Sequence, residues 1–344
     1  MGKLTCATVK GVSFYVPDNV VTNHDLAKLM ETSDEWIRER TGIQERHIAN
    51  TDTSTSELGT AAAKKVLAKT GLEAKDIDLI LAATLSPDYF FPGIGVQIQD
   101  QLGAPFIPAI DIRGQCSGFG WSLATADAFI RTGLYKRILV VGAEMQSRVL
   151  EMSTRGRNFA VLFADGAGAM IVEASSTNEM PSAHNKVRGF IDHILGSDGT
   201  GAELLAILRP GFSKGNSELI TVKETEDKAF LPVMEGPQVF RAAVSKMVEI
   251  AEQLCKRNGI QPSDLNLVIP HQANLRINEA VREKLGLPKE KVFNNIQRYG
   301  NTTAATVPIC MAEAEEQGVL KKGDLVMTLV FGSGFTWGAN LLRW

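Results

Sequence analysis

The sequence predicts an α/β protein built from two similar halves, residues 1–175 and 176–344. Two observations carry that expectation. Apolar strand-like runs alternate with helical stretches in both halves, which implies parallel sheets covered by helices on both faces. Two helix-stop-then-strand units also recur at nearly one spacing, the mark of an internal duplication. Gly71-Leu-Glu-Ala-Lys-Asp76-Ile-Asp-Leu-Ile-Leu81 has a counterpart 188 residues on, at Gly259-Ile-Gln-Pro-Ser-Asp264-Leu-Asn-Leu-Val-Ile269. Gly133-Leu-Tyr-Lys-Arg-Ile-Leu-Val-Val141 resembles Gly318-Val-Leu-Lys-Lys-Gly-Asp-Leu-Val326, 185 residues on.

Residues 4–16 alternate as a first strand that ends at Pro17-Asp-Asn. Thr22-Asn-His-Asp starts a helix with Asn23 as its cap. Thr32 to Arg40 is a second helical piece stopped by Gly42, and Thr55 to Thr70 is an Ala- and Lys-rich helix stopped by Gly71. Asp78–Leu85 reads as a buried strand, as does the apolar run ending near Ile112. A turn with Gly114 follows, then helical periodicity over Ser117–Arg131. Val161–Val172 predicts two strands around a tight turn at Asp165-Gly-Ala-Gly168. No helix pattern follows that Gly-x-Gly, so a dinucleotide site is disfavoured. Residues 173–235, rich in Gly, Ser and Glu, read as a connector with short strands. Pro237–Asn258 is an amphipathic helix, and strands at Leu325–Phe331 and Trp337–Leu342 flank Gly332-Ser333-Gly334.

Composition narrows the function. With 44% hydrophobic and 22% charged residues and a formal net charge of −3, the chain is an ordinary globular protein without the basic footprint of a nucleic-acid binder. It holds no apolar run of about 18 residues, so no membrane insertion is expected. Met1–Lys10 lacks a signal-peptide layout, and a cytoplasmic location follows as the expectation. Cys6, Cys116, Cys255 and Cys310 are too widely spaced for a metal-type pair and read as reduced thiols, three of them core residues.

The fourth, Cys116, stands at a helix entrance, where free N–H groups and the positive dipole end favour a thiolate, the nucleophilic form. The repeat adds partners. Position 116 shifted by 185 is Asn301, and Ala83 shifted by 188 is His271. Ligand sites in α/β sheets gather at carboxyl ends of strands. Cys116, His271 and Asn301 are therefore expected to converge. Such a set suits a papain-like peptidase, where the histidine deprotonates the cysteine. It equally suits a condensing enzyme, where histidine and asparagine stabilise enolate-like charge. As plain structure, Asn301 before Thr-Thr could be a helix cap and His271 a strand-end histidine. The other histidines, His24, His47, His184 and His193, sit in polar segments.

Cys116-Ser-Gly-Phe, Pro270-His271-Gln-Ala-Asn274, Gly300-Asn301-Thr and Phe331-Gly-Ser-Gly-Phe-Thr-Trp-Gly338 resemble the motifs of β-ketoacyl-acyl-carrier-protein synthase III, a condensing-enzyme family of the thiolase superfamily. The resemblance runs essentially end to end, including Thr32-Ser-Asp-Glu-Trp-Ile and Arg40-Thr-Gly-Ile. It implies a five-layered αβαβα thiolase-like fold and a homodimer, with no metal or redox cofactor and a coenzyme A thioester as substrate. It implies that Cys116 takes an acyl group from acyl-coenzyme A. Malonyl-acyl-carrier protein then loses CO2 and attacks, with His271 and Asn301 stabilising the enolate. The N–H groups of Cys116 and Ser333 would form the oxyanion hole. Trp36 and Arg157 match the family's adenine clamp, and Arg40 would meet the phosphates. Arg241, Arg276 and Lys284 fall where the family gathers charge for the acidic carrier protein, and a solvated basic face would read the same. Phe91 matches the residue that closes the acyl pocket across the dimer. Arg113-Gly-Gln115 replaces small residues before the cysteine, Ser333 replaces a glycine, and Glu283 stands where a basic residue is common. These departures leave the primer open. The alternative is a synthase III-like paralogue that handles an unusual acyl group in a secondary pathway. A degradative thiolase would need a second cysteine near Gly332, and a non-catalytic partner subunit would lack Cys116 or His271.

Overall fold

The computed structural model describes residues 3–211, 221, 223, 225 and 230–344. Part of the expected connector, 212–220, 222, 224 and 226–229, lies outside the described residues. In chain order the strands are β1 (Leu4–Tyr15), β2 (Val20–Thr22), β3 (Glu45–His47), β4 (Leu79–Ala83), β5 (Ala109–Ile112), β6 (Arg137–Met145), β7 (Asp165–Thr177), β8 (Gly189–Ser197), β9 (Leu205–Ala206), β10 (Val233–Met234), β11 (Leu267–Pro270), β12 (Leu325–Gly332) and β13 (Thr336–Arg343). One sheet runs β5-β4-β6-β7-β1 and the other β11-β12-β13-β8; β2–β3 and β9–β10 are small separate pairs.

Five layers follow from which faces are apolar. Along β4, Leu79 and Leu81 face a core shared with β11, β12 and the two helices Gly118–Arg131 and Thr306–Glu316. Ile80 and Ala82 face the opposite way, onto the helices Thr55–Thr70 and Ile94–Gln101. In the second sheet Met327 and Leu329 turn outward to the helices Gly236–Arg257 and Leu275–Lys284. Alternation along each strand thus buries both faces, and two helices are sandwiched between two sheets. This is the thiolase-like αβαβα arrangement.

The duplication holds at a single spacing. Leu79 and Leu267, Arg137 and Leu325, and the helix starts Gly118 and Thr306 are each 188 residues apart. Gln115 and Thr303, also 188 apart, are the two non-glycine residues with positive φ among the described residues, at 47° and 46°. The 185-residue shift that paired Cys116 with Asn301 is therefore corrected: the counterpart of Cys116 is Ala304, and Asn301 answers to Arg113. Where β5 pairs with β4, the second half keeps only a single bridge between Val268 and Val292.

Other expectations change for physical reasons. The sheets are mixed rather than parallel: β4 pairs in parallel with β5 and β6, while β7 runs antiparallel to β6 and β1. The link from β12 to β13 is too short for a parallel crossover, so that pair is antiparallel as well. The helix after β2 is capped by Thr22 rather than Asn23, because Thr22 and Asp25 form a reciprocal capping box. Val161–Val172 is not a hairpin. Gly166 and Gly168 lie inside one continuous strand, β7. A Cβ on Gly168 would sit 2.6 Å from Pro308 Cβ and 3.1 Å from Ile309 N, so glycine there admits the central helix.

Replacing Gly168 by alanine is expected to lower the melting temperature by several degrees through overpacking of about 1–3 kcal/mol. Gly199→Ala, where an added Cβ meets nothing within 4 Å, is expected to melt like the parent in the same calorimetric comparison.

Candidate functional site

Cys116 sits in a tight 3₁₀ turn, Gln115–Ser117, between β5 and the central helix that begins at Gly118. The positive φ of Gln115 is strained for a residue with a side chain, and such strain persists only where neighbours enforce it. Those neighbours come from the other half of the chain. Ser117 Oγ lies 2.7 Å from both Gly114 O and Thr336 Oγ1, and Thr336 Oγ1 donates to Ser333 O at 3.0 Å. A Cβ on Gly332 would fall 3.0 Å from Cys116 N and 3.1 Å from Ser117 N. Glycine lets the Gly332-Ser333 backbone lie against the cysteine. The N–H groups of Cys116 and Ser333 both act on the sulfur in its anionic form.

Those donors do not make a resting thiolate. Burial, reinforced by the Glu144 carboxylate, pushes the Cys116 thiol up to about 12 against the pull of the two N–H groups. The expectation of a thiolate at a helix entrance is corrected. A helix terminus supplies about 0.3–1 kcal/mol, up to about 2 when partly buried, and dehydrating a thiolate costs more.

His271 follows Pro270 at the end of β11, its N–H bonded to Leu329 O at 2.7 Å. The ring is buried, its Nδ1 lies 2.7 Å from Thr306 Oγ1, and burial pulls its pKa down to about 3, so it is neutral. Asn301 is pinned onto the first half: its N–H donates to Leu162 O at 2.9 Å and its carbonyl accepts from Ala164 N at 3.1 Å. Asn301 Oδ1 accepts from Thr303 N at 2.8 Å, which fixes the amide and leaves Nδ2 a donor without a partner among the described residues.

Cys116, His271 and Asn301 line one cavity of about 700 Å3 with Phe159, Val239, Phe240, Ile277, Phe331 and Gly332. The exposed Arg40, Arg241 and Arg276 also line it, beside Trp36. Arg40 and Arg157 both place a guanidinium over the Trp36 ring, 4.6 and 4.7 Å from its centroid. Arg276 reaches over Phe240 at 5.9 Å. Lys284 is exposed at the end of the helix Leu275–Lys284 and does not line the cavity. Neither does Phe91, which is 81% exposed beside the exposed Tyr89 and Phe90. Ile110 and Phe106, on and just before the sheet-edge strand β5, are exposed as well.

Sequence reasoning missed Glu144 and Thr306. Glu144, fully buried near the end of β6, accepts from Ser86 Oγ at 2.6 Å, Gln146 Nε2 at 3.0 Å, Leu85 N at 3.2 Å and Ala304 N at 3.3 Å. It ties the loop after β4 to the turn that follows Asn301. Burial raises its pKa and these donors hold it back. A lone carboxylate in the apolar strand Ile138–Met145 was the signal available.

Duplicated halves that share one cavity, lined by a buried cysteine, histidine and asparagine, place the chain among the thiolase-fold condensing enzymes. Models of 3-oxoacyl-[acyl-carrier-protein] synthase III match residues 110–205, and of its C-terminal region residues 255–344. A β-ketoacyl-[acyl-carrier-protein] synthase III of Geobacillus kaustophilus is 45% identical over 98% of this chain and 99% of its own. The solved 3-oxoacyl-[acyl-carrier-protein] synthase III of Aquifex aeolicus superposes with a TM-score of 0.87 at 40% identity, covering 98% of this chain and all of that one. The priming β-ketosynthase of the R1128 polyketide pathway superposes equally well, TM-score 0.87, at 29% identity over 100% of this chain and 98% of that one. The chain belongs to the β-ketoacyl-acyl-carrier-protein synthase III family of acyltransferase-type condensing enzymes. Among the described residues, no helix is long and apolar enough to cross a membrane.

A thiol held near 12 is ionised in proportion to hydroxide throughout the neutral range. Alkylation of Cys116 by iodoacetamide, followed by peptide mass, is expected to quicken about tenfold per pH unit from pH 7 to 9. A plateau reached below pH 8 would contradict the burial argument.

Proposed function

We propose that the chain carries out a decarboxylative Claisen condensation. An acyl-coenzyme A primer loads Cys116, and malonyl-acyl-carrier protein is then extended to a 3-oxoacyl-acyl-carrier protein, initiating fatty acid synthesis. The observation that carries this reading is the shared cavity, which combines a protected sulfur, two N–H groups beside it and two neutral side-chain donors. In loading, the sulfur attacks the thioester carbonyl and the Cys116 and Ser333 N–H groups hold the oxyanion. The carbon–sulfur bond to coenzyme A breaks, and the thiol proton ends on the departing sulfur. In condensation, the malonyl C–CO2 bond breaks and its electron pair becomes an enolate, held by His271 and Asn301. The enolate carbon attacks the acyl-cysteine, the bond from that carbonyl to the Cys116 sulfur breaks, and the departing thiolate takes up one proton from solvent. Apolar walls such as Phe331 favour loss of a charged carboxylate as neutral CO2. The balance needs no metal or redox cofactor.

Trp36 and Arg157 suit adenine stacking, and Arg40 suits the coenzyme A phosphates. Arg241, Arg276 and Lys284, all exposed, suit an acidic carrier protein. The exposed Tyr89, Phe90 and Phe91, together with Phe106 and Ile110 at the sheet-edge strand β5, suit burial in a homodimer, in which Phe91 would close the partner's acyl pocket. Four free, buried cysteines suit a reducing cytoplasm. The common 188-residue spacing supports residues 1–175 and 176–344 as copies of one unit. The second reading, a paralogue with another primer, keeps this chemistry. Gln115 beside the nucleophile and the likeness to a priming β-ketosynthase favour it.

Cys116→Ala is expected to show no acyl adduct by intact mass after mixing with acyl-coenzyme A; an adduct there would overturn the assignment. His271→Ala and Asn301→Ala are expected to acylate yet to release CO2 from malonyl thioester at least about a hundredfold more slowly. Trp36→Ala is expected to raise KM for acyl-coenzyme A about tenfold with kcat little changed.

A further inference from the structure

The hydroxyl of Thr306 is placed to decide which nitrogen of His271 carries the ring's proton. Thr306 opens the second central helix, is buried, and its Oγ1 lies 2.7 Å from His271 Nδ1. The same oxygen lies 2.9 Å from Thr303 O, so its single hydrogen has two acceptors in reach. Thr303 O is already served by the backbone N–H of Thr306. His271 Nδ1 has no other hydrogen-bond partner among the described residues. Two arrangements satisfy these groups: the hydroxyl donates to Thr303 O and accepts from a protonated Nδ1, or it turns to a bare Nδ1; only the second leaves the ring a donor at Nε2, as the role given to His271 requires. A neutral imidazole that accepts at Nδ1 carries its proton on Nε2, the only tautomer that can donate from that atom.

We propose that Thr306 is a positioning residue that donates to His271 Nδ1 and thereby holds the imidazole as an Nε2–H donor toward the enolate. The inference rests on the role given to His271 above. No group is oxidised and no proton is consumed: the hydroxyl fixes where an existing proton resides. It also separates the two half-reactions. Loading uses the Cys116 and Ser333 N–H groups and does not call on the ring, whereas decarboxylation does.

The test compares Thr306→Val, of equal size without a hydroxyl, and Thr306→Ser with the parent and with His271→Ala. Acyl-enzyme formation is read by intact mass and CO2 release from malonyl thioester by radiometry. Thr306→Val is expected to acylate within about threefold of the parent but to decarboxylate at least about tenfold more slowly, and Thr306→Ser to restore decarboxylation to within about threefold. Decarboxylation by Thr306→Val within about twofold of the parent would overturn the proposal. If His271→Ala also decarboxylates normally, the role of the histidine itself fails; if it does not, only the role of Thr306 does. Should the valine variant not fold, the imidazole 15N spectrum of the parent, assigned against His271→Ala, decides. A bare Nδ1 with a protonated Nε2 supports the proposal, and a protonated Nδ1 contradicts it.

Discussion

The site depends on one seam, where the Gly332-Ser333 turn of the second half lies against the Cys116 turn of the first. No side chain fits between the two backbones, since even a Cβ on Gly332 would press on Cys116 N at 3.0 Å. The Ser117–Thr336–Ser333 hydrogen bonds draw the turns together, and the pairing of Asn301 with Leu162 and Ala164 repeats the lock a short way off. Glu144 gathers the loop after β4 and the turn at Ala304 onto one carboxylate. Neither half alone holds a complete set of donors.

Burial of Cys116 and His271 beside this seam cuts in two directions. It leaves the thiol and the imidazole both neutral at rest, the first pushed up and the second pulled down by the same burial. In return, each fixed N–H is already oriented toward developing charge and needs no reorganisation. The proposed mechanism therefore relies on donors placed in advance, not on a pre-formed ion pair. Charge arises only while substrate is present, first on a thioester oxygen and then on an enolate.

Much of this was legible in the residues. The alternation of strands and helices, the helix Thr55–Thr70 with its glycine stop, and the 188-residue echo between Gly71 and Gly259 all follow local rules that the packing obeys. The convergence of Cys116, His271 and Asn301 was legible too, although the 185-residue step that led to Asn301 was the wrong one. What escaped was tertiary in origin. The protonation of Cys116 depends on burial and on Glu144, which no local pattern shows. Gly166 and Gly168 looked like a turn because their reason, the approach of Pro308 and Ile309, comes from the other half. The antiparallel strands needed knowledge of which connections were too short to cross over. Thr306 stood in plain view as one threonine among several beside Asn301, and only its distance to His271 distinguishes it.

The most direct measurement of the seam is acyl-enzyme formation in Gly332→Ala. The added methyl should press the two turns apart and draw the Ser333 N–H away from the sulfur. Acylation by acyl-coenzyme A is predicted to slow at least about tenfold, and by more than alkylation by iodoacetamide, which loses only the pull of that N–H on the thiol. Acylation at the parent's rate in a folded Gly332→Ala protein would contradict the account.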